Sequence, residues 1–207
     1  MADYSMDSDH PDTQEESPEN LTALQKRIYE TAEDRYRSKH FAPVSVDVVP
    51  TTPDHYDPVK GILLRAYELV APDLYSDGYD LKLTDLEGRA ATTSIFTALV
   101  NGHVAGSVTL VQDPESDLHL FGDASAAYLR FLAVDPSAHR VGIGRQLVEH
   151  CLTHAADLKH RAVGLHTSPA MTSAVALYTS MGFARSHAND GVPGYTGEAP
   201  AYIKVLT

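Results

Sequence analysis

The chain has 207 residues, 43% of them hydrophobic, a single cysteine, and a formal net charge of −12 that is concentrated at its start, where residues 1–20 hold seven Asp/Glu and no Lys/Arg. That length suits one domain of about 150 residues plus an extension, and a separate second core is excluded. The remaining 21 acidic and 16 basic residues offer no clustered basic face for nucleic acid, one cysteine cannot form an intrachain disulfide, and no run approaches the roughly 18 apolar residues of a membrane span, so a soluble, cytoplasmic protein is expected.

Residues 1–16 are rich in Asp, Glu and Ser with almost nothing to bury, which predicts a disordered acidic tail. Ser17-Pro18-Glu19 has the form of an N-cap followed by Pro at the first helical position. Leu21, Leu24, Ile28 and Ala32 then recur at helical spacing, predicting a helix to about Arg37. This appended helix and its linker, residues 17–42, precede a domain expected over 43–207. Three readings stay open for it: packing on the core, packing on another subunit of a homodimer, or a marginal appended helix.

Val44–Val49 alternates between Pro43 and Pro50 and predicts a strand near a sheet edge. Asp57-Pro58 opens a helix whose Val59, Ile62, Leu63, Ala66, Tyr67 and Val70 share one face before Pro72. Residues 73–91 read as an irregular connection containing Tyr75, Asp77, Gly78, Tyr79 and Asp80, long enough to be functional, with aromatics anchoring a surface loop as the equal alternative. Thr93–Val100 and His103–Val111 flank Asn101-Gly102, the strongest short hairpin signal, so they should pair antiparallel. Asp113–Ala126 reads as a long polar loop.

Tyr128-Leu129-Arg130-Phe131-Leu132-Ala133-Val134 is the next predicted strand, ended by Asp135-Pro136. Then comes His139-Arg140-Val141-Gly142-Ile143-Gly144, a Gly-containing turn at the start of a helix, where orphan N–H groups and the helix dipole attract phosphate and Arg140 and Arg145 add positive charge. A Gly-x-Gly turn is by itself also ordinary strand-to-helix packing. The helix carries an apolar stripe of Ile143, Leu147, Val148, Cys151, Leu152 and Ala155, which makes Cys151 a small core side chain rather than a nucleophile. His150 and His154 occupy its other face with only His160 nearby, a solvated face in preference to a metal site. A strand at Ala162–Thr167, a helix from Ser168-Pro169 to Gly182, a loop marked by Asn189-Asp190-Gly191 and Pro193-Gly194, and a last strand at Ala201–Leu206 complete the chain.

The turn at 139–144, followed downstream by Leu177-Tyr178 and Met181-Gly182-Phe183, resembles motifs A and B of the GNAT superfamily of acyl-CoA-dependent N-acyltransferases. The pyrophosphate loop of that superfamily reads Gln/Arg-x-x-Gly-x-Gly/Ala, and here His139 replaces the usual Gln or Arg. The resemblance is specific over 128–183 and topological over the rest of 44–207. It implies an α/β (α+β) fold with a mixed, mostly antiparallel sheet flanked by helices, and acetyl-CoA as co-substrate with no metal. It also implies an acceptor that is a primary amine of a small molecule or peptide, attacking directly in a ternary complex.

By the same resemblance, backbone groups of Leu132, Ala133 and Val134 bond the pantetheine arm and acyl carbonyl, and His139, Arg140, Val141, Gly142, Ile143, Gly144 and Arg145 form the pyrophosphate turn. Tyr178 falls where the family has a phenol that protonates the departing sulfur, although its helical spacing with Ala174, Leu177 and Met181 also suits a packed core residue. The family's strand glutamate falls at Tyr128 and its asparagine at Met171. For the base, His166, His119, Asp123 and bulk water stay open. The competing readings are a non-catalytic acyl-CoA-binding or interaction domain, which the missing carboxylate favours, and an unrelated phosphate-binding α/β domain, which the segment from Tyr178 to Phe183 disfavours.

Overall fold

A computed structural model describes residues 45–70, 79–138, 141–193 and 197–207. The predicted acidic tail, the predicted helix and linker before residue 43, Tyr75, Asp77 and Gly78 of the connection, and His139 and Arg140 of the turn lie outside these residues.

The described elements are β1 (Val46–Pro50), α1 (Tyr56–Val70), α2 (Tyr79–Thr84), α3 (Leu86–Ala90), β2 (Ser94–Val100), β3 (His103–Val111), β4 (Ala126–Val134), α4 (Ile143–Asp157), β5 (Ala162–His166), α5 (Thr172–Ser180), β6 (Ala184–Arg185) and β7 (Ala201–Val205). The strands form one mixed sheet in the order β1-β2-β3-β4-β5-β7-β6. Only β4 and β5 run parallel; every other neighbouring pair is antiparallel. Asn101 at φ 52° and Gly102 at φ 78° make the primed turn that joins β2 to β3, with Val100 opposite His103. Among the described residues no helix is long and apolar enough to cross a membrane.

The faces follow from strand alternation. Ile95 packs with Val59, Ile62 and Leu63 of α1, whereas the ring of the adjacent Phe96 meets His150 and His154 of α4. Neighbouring strand residues point to opposite sides, so α1 covers one face and α4 the other. Each helix buries the stripe read from its periodicity: Val59, Ile62 and Leu63 on α1, and Ile143, Leu147, Val148, Cys151 and Ala155 on α4.

Two expectations are corrected. The stretch 73–91 is not irregular throughout, since α2 and α3 occupy Tyr79–Thr84 and Leu86–Ala90. Leu83 and Leu86 are fully buried, and the Asp85 carboxylate accepts the Gly88 N–H at 2.9 Å as the N-cap of α3. These helices are too short for periodicity to reveal and are held by tertiary burial. Likewise α5 begins at Thr172, not at Ser168-Pro169. Ser168 closes a turn of its own, its carbonyl accepting the Met171 N–H at 2.9 Å.

One irregularity shapes the middle of the sheet. Arg130 is opposite Thr109 and Ala133 is opposite Ser107, so β4 inserts one extra residue, a β-bulge, and Phe131 within it has φ 53°. Bulges bend the strand and increase its twist. The ladder between β4 and β5 ends at Leu129↔Leu165, while β4 continues to Val134. The two parallel strands thus part at their C-terminal ends, the place where sheets of this kind accept ligands.

Phe121, from the loop before β4, lies against β5 where Gly164 has no side chain: a Cβ there would come within 2.6 Å of the Phe121 ring. Phe121 is buried and its ring also meets Tyr128 and His166, so it has nowhere to go. Gly164→Ala should lower the free energy of unfolding by about 1–3 kcal/mol, measured as a fall in the urea midpoint at unchanged slope.

Candidate active site

The turn before α4 is built around Gly142, which caps the helix at φ 87°, ψ 4°. A Cβ at Gly142 would touch nothing within 4 Å, so glycine is required there by the left-handed backbone and not by crowding. The N–H groups of Ile143, Gly144 and Arg145 have no carbonyl inside the helix to bond, the first helical bond being Gln146 N–H to the Gly142 carbonyl at 3.1 Å. Such a helix end, here on a helix of 15 residues, is of the kind that attracts anions. At Gly144 a methyl would make ordinary contacts with Leu177 Cδ2 at 3.4 Å and Val134 Cγ2 at 3.7 Å. The turn, the end of β4 and α5 therefore meet at one point. Arg145 reaches across to α5, its Nη2 donating to Ser180 Oγ at 2.6 Å.

Tyr178 stands in the last turn of α5, and the end of that helix explains why. Gly182, at φ 85°, donates to the Thr179 carbonyl at 3.0 Å, and Phe183 donates to the Tyr178 carbonyl at 3.0 Å. This is the Schellman pattern, with its usual apolar contact supplied by the Tyr178 and Phe183 rings 5.6 Å apart. Tyr178 is 5% exposed. Burial raises its phenol above the ordinary tyrosine value, and Cys151 and Tyr128 add to the rise, so it stays protonated at neutral pH. It influences Tyr67 of α1 as well. Its phenol feels Cys151 of α4 as well as Tyr67 and Tyr128, and β4 and β5 part after Leu129 and Leu165.

On the α1 side of that split, the Tyr128 hydroxyl is 2.8 Å from His166 Nδ1, and His166 Nε2 is 2.7 Å from the Asn189 carbonyl. A carbonyl only accepts, so Nε2 carries a proton and Nδ1 accepts from the Tyr128 hydroxyl. Burial lowers the His166 imidazole below its ordinary value, opposed by the bond to Asn189; burial pushes the Tyr128 phenol up to about 12. Asn189 is held from behind, because Arg185 bonds both oxygens of Asp190 at 2.7 and 2.9 Å and Asp190 accepts the Ala201 N–H at 2.8 Å. Of the candidate bases, His166 therefore joins Tyr128. Asp123 instead bonds the Ser125 N–H and hydroxyl at 2.9 and 2.7 Å, which lowers its carboxyl and ties it to its own turn. His119 binds the Ala126 carbonyl at 2.9 Å.

Arg89, which sequence did not single out, gathers with Arg130, Tyr79 and Tyr67 around the bulge. The guanidinium carbons of Arg89 and Arg130 lie 4.3 and 4.6 Å from the centroid of the Phe131 ring. Tyr79 packs 6.2 Å from Phe131 and Tyr67 6.2 Å from Tyr79. Arg89 was detectable only as a charge three residues after the apolar Leu86, and nothing in the spacing marks it as buried.

The expectation of a solvated face at His150 and His154 is corrected: both rings sit edge-on to Phe96 at 4.4 and 5.2 Å, and His154 Nε2 is 3.3 Å from Ser94 Oγ. Among the described residues no three His, Cys, Asp or Glu are grouped to hold a metal. Met171 is the N-cap residue of α5.

A mixed sheet parted beside a glycine-capped helix defines an α/β fold with a helix N-terminus near the split. Comparison with known proteins narrows this. The model of the acetyltransferase (GNAT) family matches residues 62–183, more than half of the chain, and the chain belongs to that family. Mycothiol acetyltransferase of Geodermatophilus obscurus is 32% identical over 111 residues, covering 54% of this chain and 35% of that protein, so the chain spans about a third of the length of this curated relative. Two solved structures share the fold. PaiA N-acetyltransferase of Thermoplasma acidophilum in complex with coenzyme A has a TM-score of 0.61 at 12% identity, covering 78% of this chain and 99% of that one. A GNAT-family acetyltransferase of Staphylococcus aureus Mu50 has a TM-score of 0.60 at 14% identity, covering 79% and 100%.

The two turn glycines have different reasons and should respond differently. Gly142→Ala should cost about 1–2 kcal/mol for its positive φ, whereas Gly144→Ala should be neutral or stabilising by up to about 1 kcal/mol. Denaturant unfolding of the two variants checks the difference in sign.

Proposed function

We propose that the protein is an N-acetyltransferase that moves the acetyl group of acetyl-CoA to a primary amine of a small molecule or peptide by direct attack in a ternary complex, over a domain spanning 43–207. The observation that carries this reading is the parting of β4 from β5 beside the capped end of α4, with a protonated phenol on one side and a phenol–imidazole pair on the other. Bound there, acetyl-CoA would supply an activated carbonyl and a thiolate leaving group.

The residues divide the work. The first-turn N–H groups from Val141 to Arg145 hold the pyrophosphate, with His139 and Arg140 of the same turn assigned to it by resemblance, and the backbone of Leu132, Ala133 and Val134 holds the pantetheine arm and acyl carbonyl. Tyr178 gives its phenolic proton to the sulfur as the C–S bond breaks and the C–N bond forms. Tyr128 takes the proton that the amine sheds while passing its own to His166 Nδ1, and the imidazolium so formed keeps its Nε2–H on the Asn189 carbonyl. The absence of a carboxylate on β4 favoured a non-catalytic acyl-CoA-binding domain. The Tyr128–His166 pair weighs against that alternative, because it accepts a proton without one.

Screening a broad set of primary amines with acetyl-CoA, following thiol release, tests the activity. With a substrate in hand, Tyr178→Phe keeps the ring and its contact with Phe183, so folding should survive and kcat should fall about a hundredfold or more. Equal turnover by variant and parent, with chemistry rate-limiting, would return Tyr178 to a packing role.

The base has a pH signature. His166 must be neutral to accept a proton, and burial lowers its value, so kcat should rise with pH along an acid limb that is complete below the ordinary histidine range. Tyr128→Phe breaks the route from amine to imidazole and should remove that limb together with about one to two orders of magnitude in kcat. A pH profile identical in variant and parent would assign proton removal to water.

A further inference from the structure

Arg89 is only 3% exposed, and part of its guanidinium is engaged: Nη1 donates to the carbonyl of Lys82 and, at 2.9 Å, to that of Leu83, closing the end of α2. Its Nε and Nη2 are buried with no hydrogen-bond partner among the described residues. Buried donors of a cation left unmatched are among the least favourable arrangements a fold can hold. Arg130 shares the Phe131 ring with Arg89 and binds the Leu118 carbonyl at 3.1 Å through Nη1. Among the described residues no ion pair involves either arginine, and the Asp85 carboxylate, the acidic group Arg89 feels most, already accepts the Gly88 N–H. Two like charges therefore flank one aromatic ring, with Asp85 near Arg89 but no carboxylate in an ion pair with either among the described residues. That ring belongs to the bulge residue, next in sequence to the backbone assigned to the acyl carbonyl, and the phenols of Tyr79 and Tyr67 follow it on the same side.

We propose that the acceptor carries an oxyanion, a carboxylate or a phosphate, which Arg89 and Arg130 bind beside Phe131 so that its amine lies at the parting of β4 and β5. The inference rests on the acetyltransferase reading and names the substrate class of that site: amino acids or amine phosphates in preference to neutral amines. Guanidinium forks suit such planar or tetrahedral oxyanions, and the unmatched Nε and Nη2 of Arg89 are the adjacent pair a bidentate partner uses.

The test uses matched pairs with the full chain and acetyl-CoA: amino acids against their C-terminal amides, and phosphoethanolamine against ethanolamine. The anionic member of the best pair should have the higher kcat/KM by about ten- to a hundredfold, the range of a charged hydrogen-bonded contact. Arg130→Gln and Arg89→Gln should bring that ratio close to one, mainly through KM. If buried Arg89→Gln does not fold, the half-buried Arg130→Gln carries the comparison. Neutral members used as well as anionic ones by the parent, or a ratio unchanged in the folded variants, would overturn the proposal. If no amine is acetylated at all, the acetyltransferase reading fails instead, and calorimetric titration of the same pairs in the presence of coenzyme A decides the anion site. Binding of anionic members that Arg130→Gln abolishes would support it, and no binding of any anionic member would overturn it.

Discussion

The site depends on a single extra residue in β4. The bulge at Phe131 follows directly on the last parallel pair, Leu129↔Leu165, and beyond it β4 runs on to Val134 paired with β3 while β5 ends at His166. A non-glycine residue at φ 53° is an unfavourable conformation, and it persists because its surroundings determine it. The Phe131 ring is buried in the α1 core, packed against Tyr79 and approached by two guanidinium groups. Core packing and the opening of the sheet are the same structural event.

The opposite wall is held by helix-end chemistry. The Schellman bonds at Gly182 fix where α5 stops, and the Tyr178–Phe183 contact that accompanies them fixes the phenol. A packed ring and an acidic hydroxyl are therefore not competing descriptions of Tyr178. Burial holds the ring in place, and the same burial raises the phenol, so the ring can pack and still carry the proton that the proposed acid role requires.

Much of the fold was legible because it is local. Asn101-Gly102 announces the β2–β3 hairpin, the stripes of α1 and α4 are long enough for their period to show, and Gly142 and Gly182 lie where left-handed backbone is required. Sequence resemblance is what assigned roles to Tyr178 and the turn, which the fold puts in the last turn of α5 and at the start of α4. What stayed illegible is contact between distant residues. Tyr128 and His166 are 38 positions apart and meet only because β4 and β5 pair in parallel. The helices α2 and α3 are single turns stabilised by Leu83 and Leu86 in a core that other elements build. Arg89 would read as an exposed helix charge, and its burial follows from those same two helices.

The missing carboxylate on β4 acquires a reason from the charges beside it. The Arg130 guanidinium lies 5.6 Å from the Tyr128 ring, and it already influences both Tyr128 and His166. A glutamate in place of Tyr128 would face that cation across a buried gap, and the attraction would both lower the carboxylate's basicity and occupy the arginine. A phenol linked to an imidazole also feels that cation, which lowers both groups, but it does not occupy the arginine. The pair is neutral at rest, and positive charge arises on His166 only after the proton has moved. On the reading proposed here, the two arginines then remain available for an anionic acceptor, and the choice of a neutral base and the choice of substrate follow from one electrostatic constraint.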